Sequence, residues 1–295
     1  MPWWQFSVTC QSSELEQVES LLLDLGALSL SLADAGDEPL YEPLPGDNPI
    51  WQDSVVTGMF DPGVDHEALY QRLMSALPPH LLDLVRQQSL QEQDWEEAYK
   101  LHFKPIQCSR NLWIVPSWCD PPDPDATNIR LDPGMAFGTG GHATTALCLN
   151  WLGEHDISGY SVIDYGCGSG ILAIAACQLG AEVVDAIDID PQALRASEAN
   201  AQTNGIDSAR IIISLPDGLQ SKQVDLLMAN ILSGPLISFA ARFAGLIKPG
   251  GQILLSGILK TQLEEIQLAY QPWFEFDPVA IREDWARVSG TRKHV

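Results

Sequence analysis

Basic residues are scarce in this chain: 16 Lys and Arg stand against 39 Asp and Glu over 295 residues, a formal net charge of −23. A surface so negative repels phosphate backbones, whereas nucleic-acid binders present a basic face. Direct contact with nucleic acid is therefore not expected. The acidity either steers a basic partner toward the protein or only maintains solubility, and composition leaves both open. Cysteine is also sparse. The six (Cys10, Cys108, Cys119, Cys148, Cys167, Cys177) are scattered and form no CxxC pair. That argues against a zinc site or a disulfide framework, so no metal is expected and the thiols read as reduced. No apolar run approaches the ~18 uncharged residues that a membrane span needs. The start, Met1-Pro2-Trp3-Trp4, lacks the basic and apolar regions of a signal peptide. The expectation is a cytoplasmic protein with no membrane partner.

What is present falls into two halves. In the first, Trp3 to Thr9 alternates as a strand, and Leu15, Val18, Leu22 and Leu25 share one face of a helix over 14–25. Gly26 suits the position just past that helix. Residues 27–32 alternate strictly, the mark of a strand with one buried face. Four prolines between 37 and 49 predict a long loop. A strand over 54–60, a helix over 65–77 and a weaker strand over 84–88 complete the order βαββαβ, which fits a ferredoxin-like α+β sandwich. The unit is taken as residues 1–93.

Residues 94–128 change character, with a short helix at 94–102, a strand at 112–116 and the proline-rich run Asp120 to Asp125. Proline fixes φ and removes a donor, so that run is neither helix nor central strand. This stretch reads as a linker or hinge. From 129 to 295 strands and helices alternate: strands over 161–164, 182–188, 211–214, 224–229 and 252–256, and helices over 171–179 and 191–204. That alternation predicts an α/β domain with a parallel sheet covered on both faces. Its ligands belong at the carboxyl ends of the strands, near the topological switch point.

The motifs fall at those ends. Asp164-Tyr165-Gly166-Cys167-Gly168-Ser169-Gly170 lies between a strand and a helix, so a ligand can approach its backbone closely. Its glycines alternate, unlike the GxGxxG of dinucleotide sites. Asp188 follows 24 residues after Asp164, at the end of the next strand, where a carboxylate can accept from both hydroxyls of a ribose. Asp190 competes for that role but sits before Pro191, as a helix cap would. Asp217-Gly218 either meets an adenine or merely turns the chain. Asn230, at the mouth of an apolar strand, either orients a nucleophilic amine or caps the next helix. Farther upstream, 131–145 is a glycine-rich loop leading into Thr144 and Thr145, and its His142 is either a proton relay or structural.

The strings LDPGMAFGTGGHATT, DYGCGSG, AIDIDPQAL and NILSGPL, in this order, resemble the ribosomal protein L11 methyltransferases. So do MPWWQ, EPLPGD, DWEEAYK and LWIVPSW, so the similarity covers almost the whole chain. The resemblance implies a class I methyltransferase domain with a Rossmann-like seven-stranded sheet. It also implies an N-terminal substrate-recognition domain, S-adenosylmethionine as cofactor and a basic large-subunit ribosomal protein as partner. The implied activity is methylation of lysine side chains and of the N-terminal α-amine. Carried over, Thr145, Gly166, Asp188 and Asn230 contact the cofactor, Gly168 joins them in the turn, and Asn230 is the catalytic residue. Gly141 and Ala143 depart from the usual family string GTGTHPTT. Rival readings are a methyltransferase of RNA or of a protein glutamine, and a non-catalytic adenosine-binding module. The first group usually carries Asn-Pro-Pro-Tyr where this chain has Asn230-Ile231-Leu232-Ser233.

Overall fold

The computed structural model describes residues 2–36, 50–90, 103–132, 141–219 and 223–294. The predicted loop at 37–49, the predicted helix at 94–102 and most of the 131–145 motif loop lie outside these. The chain forms two compact units, Met1–Ala98 and Tyr99–Val295.

The first unit runs β1 (Trp3–Gln11), α1 (Leu15–Asp24), β2 (Ser29–Asp34), β3 (Asp53–Phe60), α2 (His66–Ala76) and β4 (Val85–Leu90). The strands order as β2-β3-β1-β4, and every neighbouring pair is antiparallel. Each half is thus a strand–helix–strand crossover with a strand of the other half inserted between, the ferredoxin-like arrangement. Alternate residues of the central strands (Phe6, Val8, Val56, Phe60) meet Val18 and Leu22 of α1 and Leu69 and Leu73 of α2 in one core. Asp65 caps α2, accepting from the Ala68 amide at 3.0 Å.

The second unit begins with β5 (Ile106–Ser109), β6 (Leu112–Val115) and β7 (Thr127–Arg130), which pair in one small sheet. Next come α3 (Ala143–Glu154), β8 (Ser161–Tyr165), α4 (Ile171–Gln178), β9 (Val183–Ile187) and α5 (Pro191–Thr203). They are followed by β10 (Ile211–Ser214), β11 (Val224–Asn230), α6 (Ser233–Leu246), β12 (Ile247–Leu259) and α7 (Leu263–Tyr270). The unit ends in β13 (Phe274–Phe276), β14 (Ala280–Arg282) and β15 (Trp285–Arg292). Seven strands order as β10-β9-β8-β11-β12-β15-β13, and β14 adds an eighth by pairing with β15. The first five are parallel, and β15 runs antiparallel to β12. Strand order reverses direction between β8 and β11, which sets the switch point there.

Both faces of this sheet are covered, and the strand residues show it. On β8, Val162 packs with α3 and α4 while Ile163 packs with α6 and α7; on β11, Leu226 and Met228 alternate likewise with Leu227 and Ala229. Such strands read as continuous apolar runs.

The stretch 94–128, expected as linker or hinge, is corrected over much of its length. Cys108, Leu112, Ile114 and Ile129 are buried in one core with Cys148, Leu149, Trp151 and Leu152 of α3. The Asn204 side chain also clips β7, accepting from the Arg130 amide and donating to its carbonyl, both at 2.7 Å. Described residues from 106 onward therefore belong to the second unit. Leu112 is wholly buried, so Leu112→Ala should cost about 2–5 kcal/mol in the stability of that unit. Urea unfolding checks this, because truncation within a mere linker would leave the curve unchanged.

Candidate functional site

A cavity of about 590 Å³ opens at the carboxyl ends of β8, β9 and β11, on the side of the switch point. That volume lies within the range of small-molecule sites, roughly 300–1,000 Å³. Gly166, Gly168, Ile187, Asp188, Ile189 and Pro216 line one part, and His142, Thr144, Asn230, Ile231, Leu232 and Trp285 another.

The glycine turn is built as the sequence requires. Gly166, Gly168 and Gly170 have φ of +83°, +55° and +78°, which side-chain-bearing residues rarely adopt. A Cβ at Gly166 would also collide with the Ile231 side chain. Asp188 stands across from the turn: its Oδ2 accepts from the Gly168 amide at 2.9 Å and its Oδ1 from the Asp190 amide at 3.0 Å. Each oxygen keeps a free lone pair, so the carboxylate is held in place yet still able to accept. Asp190 instead caps α5, accepting from the Gln192 amide at 2.8 Å, and does not line the cavity. Of the two acids, Asp188 lines the cavity and Asp190 heads a helix. Asp217 is exposed and outside the cavity, while its neighbour Pro216 lines it.

Sequence reasoning missed Ile189, which is 80% exposed on the cavity wall. The available signal was a large apolar residue between two acids at a strand end. It also missed Trp285, because β15 carries no clear alternation.

Asn230 ends β11 and does not cap α6; that position is taken by Leu232. Its Nδ2 donates to Thr145 Oγ1 at 3.3 Å, and its Oδ1 is buried with no hydrogen-bond partner among the described residues. Thr145 is fully buried and does not line the cavity, whereas its neighbour Thr144 does. His142 caps α3, its ring Nδ1 2.8 Å from Thr144 Oγ1 and its ring edge-on to Trp285, centroids 5.1 Å apart. His142 thus joins the head of α3 to the cavity wall. Among the described residues no His, Cys, Asp or Glu cluster is arranged to hold a metal.

Asp164 lies wholly buried beneath the turn. Burial pushes its carboxyl up from 3.8 to about 7, the Asp188 charge adds to the rise, and the Ala173 amide, donating to Oδ2 at 3.0 Å, opposes it. The folded state therefore retains a proton that the unfolded chain releases between those values. The contribution of Asp164 to stability must then fall as pH rises from about 4 to about 7, and level off above. Asp164→Asn cannot ionise and should remove this decline. Urea unfolding of both proteins across that interval should show the variant gaining on the parent with pH, and a constant gap overturns the assignment.

With this geometry in hand, the comparisons are specific. The family model described as ribosomal protein L11 methyltransferase (PrmA) matches residues 2–293. A ribosomal protein L11 methyltransferase of Pseudomonas aeruginosa is 47% identical over 297 residues, spanning 99% of both chains. That of Marinobacter nauticus is 46% identical over 301 residues, again 99% of each. A crystal structure of ribosomal protein L11 methylase from Lactobacillus delbrueckii superposes with a TM-score of 0.58 at 37% identity, covering 65% of this chain and 100% of that one. The glycine turn, the fixed Asp188 and the Asn230 amide thus sit in a chain that belongs to the ribosomal protein L11 methyltransferase family.

Proposed function

We propose that this chain transfers methyl groups from S-adenosylmethionine to amines of ribosomal protein L11, at lysine side chains and at the N-terminal α-amine. The observation that carries the reading is Asn230, which lines the cavity at the end of β11 and whose amide oxygen is buried without a partner among the described residues. A buried acceptor without a donor costs about 1–3 kcal/mol, so it fits a site that a ligand completes. The cofactor fits the rest of the cavity. Asp188 would hold the ribose hydroxyls, Ile187, Ile189 and Pro216 offer apolar faces to the adenine, and the backbone of Gly166 and Gly168 leaves room for the amino-acid end. Bound there, S-adenosylmethionine supplies a methyl group on a sulfonium, open to in-line displacement by a neutral nitrogen.

The chain's own residues prepare that nitrogen. An ammonium has no lone pair, and free lysine titrates near roughly 10.4, an α-amine near roughly 8. Ile231, Leu232, Phe239 and Trp285 make the acceptor end of the cavity apolar, and such surroundings disfavour the charged form. No dedicated base is needed. Asn230 Oδ1 would accept one N–H of the neutral amine and aim its lone pair, so positioning supplies much of the acceleration.

The N-terminal unit, residues 1–93, is proposed to hold the substrate protein. Arg72 and Arg86 are its only Lys or Arg residues, so it offers a basic protein an acidic surface. The cytoplasm is the proposed location: all six cysteines are free thiols, and no described helix is long and apolar enough to cross a membrane. The RNA and glutamine readings are not favoured, given the family and the absence of Asn-Pro-Pro-Tyr at 230–233.

The test is transfer of labelled methyl from S-adenosylmethionine to purified ribosomal protein L11, with ribosomal RNA as a parallel acceptor. Label should appear on lysines and the N-terminus of the protein; label on RNA alone would overturn the reading. Asn230→Ala should lower turnover on the order of 100-fold with cofactor affinity largely kept, and Asp188→Ala should do the converse. Calorimetry and initial rates separate the two.

A further inference from the structure

Tyr165 ends β8, lines the cavity and is only 6% exposed, yet it has no part in holding the ribose or the amine. Its ring packs on α6. Phe243 and Phe239 meet it at centroid distances of 5.0 and 5.5 Å, and the Arg242 guanidinium lies 5.6 Å from the ring centre. Those contacts require an aromatic ring, and phenylalanine would make them equally well. The hydroxyl is what they leave unexplained. It has no hydrogen-bond partner among the described residues, and it is not among the buried atoms sealed away from solvent. Tyr270, also buried, instead donates its hydroxyl to the Leu236 carbonyl at 2.8 Å. A buried tyrosine normally finds such a partner, so the Tyr165 hydroxyl fits a wall that a ligand completes.

We propose that the Tyr165 hydroxyl recognises the adenine of the cofactor, at the edge that carries the amino group and the ring nitrogens N1 and N7. This inference rests on the placement of S-adenosylmethionine proposed above. Strand register decides which end of the ligand the hydroxyl serves. Tyr165 pairs with Ile187 across the parallel β8–β9 ladder, so the two side chains stand side by side on the α6 face of the sheet. Ile187 belongs to the adenine wall, and Asp188 follows it at the ribose. Asn230 is turned to the opposite face, where its amide meets Thr145 of α3. The plane of the sheet therefore separates Tyr165 from the group that orients the amine. Phe239, edge-on to Tyr165, marks the border toward the acceptor end. A phenol suits an adenine edge because it donates to a ring nitrogen or accepts from the amino group, and either bond satisfies it.

The ring is held where it stands. The Ile187 carbonyl accepts from the Gly166 and Cys167 amides at 2.7 and 2.9 Å, which fixes the chain just past Tyr165. Phe243 beside it is wholly buried. A polar group carried on a central strand and locked by packing is presented more sharply than one on a loop. It also supplies discrimination. Ile187, Ile189 and Pro216 offer only apolar surface and would accept any flat base of similar size. A hydroxyl at the edge is left unpartnered by a base that lacks the matching group, and such a base is rejected.

The experiment is calorimetry on the full chain and on Tyr165→Phe, which keeps the ring and its packing. The ligands are S-adenosylhomocysteine and three analogues, each lacking one polar group of that edge: the 6-deamino, 1-deaza and 7-deaza compounds. Tyr165→Phe should weaken S-adenosylhomocysteine about three- to tenfold, as loss of one neutral hydrogen bond does. One of the three analogues should bind both proteins alike, because the group it lacks and the missing hydroxyl are partners. Unchanged affinity for S-adenosylhomocysteine overturns the proposal. An equal loss with all four ligands overturns it too, since the hydroxyl then serves a part of the cofactor other than that edge. A raised KM for ribosomal protein L11 with cofactor affinity intact moves Tyr165 to the acceptor and likewise overturns it. Asp188→Ala, titrated alongside, tells the two readings apart. If that variant also binds S-adenosylhomocysteine normally, the placement of the cofactor fails; if it binds weakly while Tyr165→Phe does not, only the role of Tyr165 fails.

Discussion

The close seating of Ile231 between two glycines is the contact on which the site depends. β8 and β11 are neighbours whose chains leave the sheet in different directions, and the cavity lies where they part. After β11 the backbone passes so near β8 and β12 that a Cβ at Gly166 would strike the Ile231 side chain, and one at Gly257 its backbone. Removing two side chains lets Asn230, Ile231 and Leu232 settle beside the glycine turn. Without that approach the amide of Asn230 and the carboxylate of Asp188 would not face one cavity. The positive φ of Gly166 and Gly257 is a second reason that neither position tolerates a larger residue.

Around this contact the electrostatics divide by depth. Most of the 39 acidic residues are at the surface, where water screens them. Asp188 is half-buried and spends both oxygens on backbone amides, which keeps an acceptor at the rim of an otherwise apolar cavity. Asp164 is buried, accepts one amide and is raised to about 7, so near neutral pH it carries only part of a charge. One carboxyl thus presents charge to the site while the other supports the turn from below. The same desolvation that raises Asp164 is what an incoming amine would meet at the acceptor end, with the opposite consequence, since it favours a neutral nitrogen.

Patterns of short range were legible in the sequence. Leu15, Val18 and Leu22 face the core as their spacing predicts, Asp190 caps α5, and the runs at 161–164 and 224–229 are central strands. What was not legible has a common cause. β5 and β7 are four-residue strands in a stretch dominated by proline and turn residues. β5 packs against α3 and β7 against α4, each more than 30 residues farther along the chain, and local composition cannot register such packing. β15 was missed because Ser289 and Gly290 are buried on the core strand, where pattern reading expects apolar residues. Ser289 is accommodated by a hydrogen bond that it donates to Asp277, just past the end of β13.

The sequence by itself determined the two-unit plan, the alternation of strands and helices, and the set of residue types that the chemistry needs. Each of these rests on interactions within a few positions along the chain: helical and strand periodicity, proline's missing donor, glycine's freedom, an acid before a helix. Only the tertiary structure put Asp188 on the cavity wall and Asp190 at the head of α5, left Asp217 outside the cavity, and set Asn230 against Thr145 rather than on a helix end. Those choices turn on which way a side chain points and what stands opposite it. That is fixed by packing between segments remote in sequence, because a buried polar group takes whatever partner the fold brings within reach.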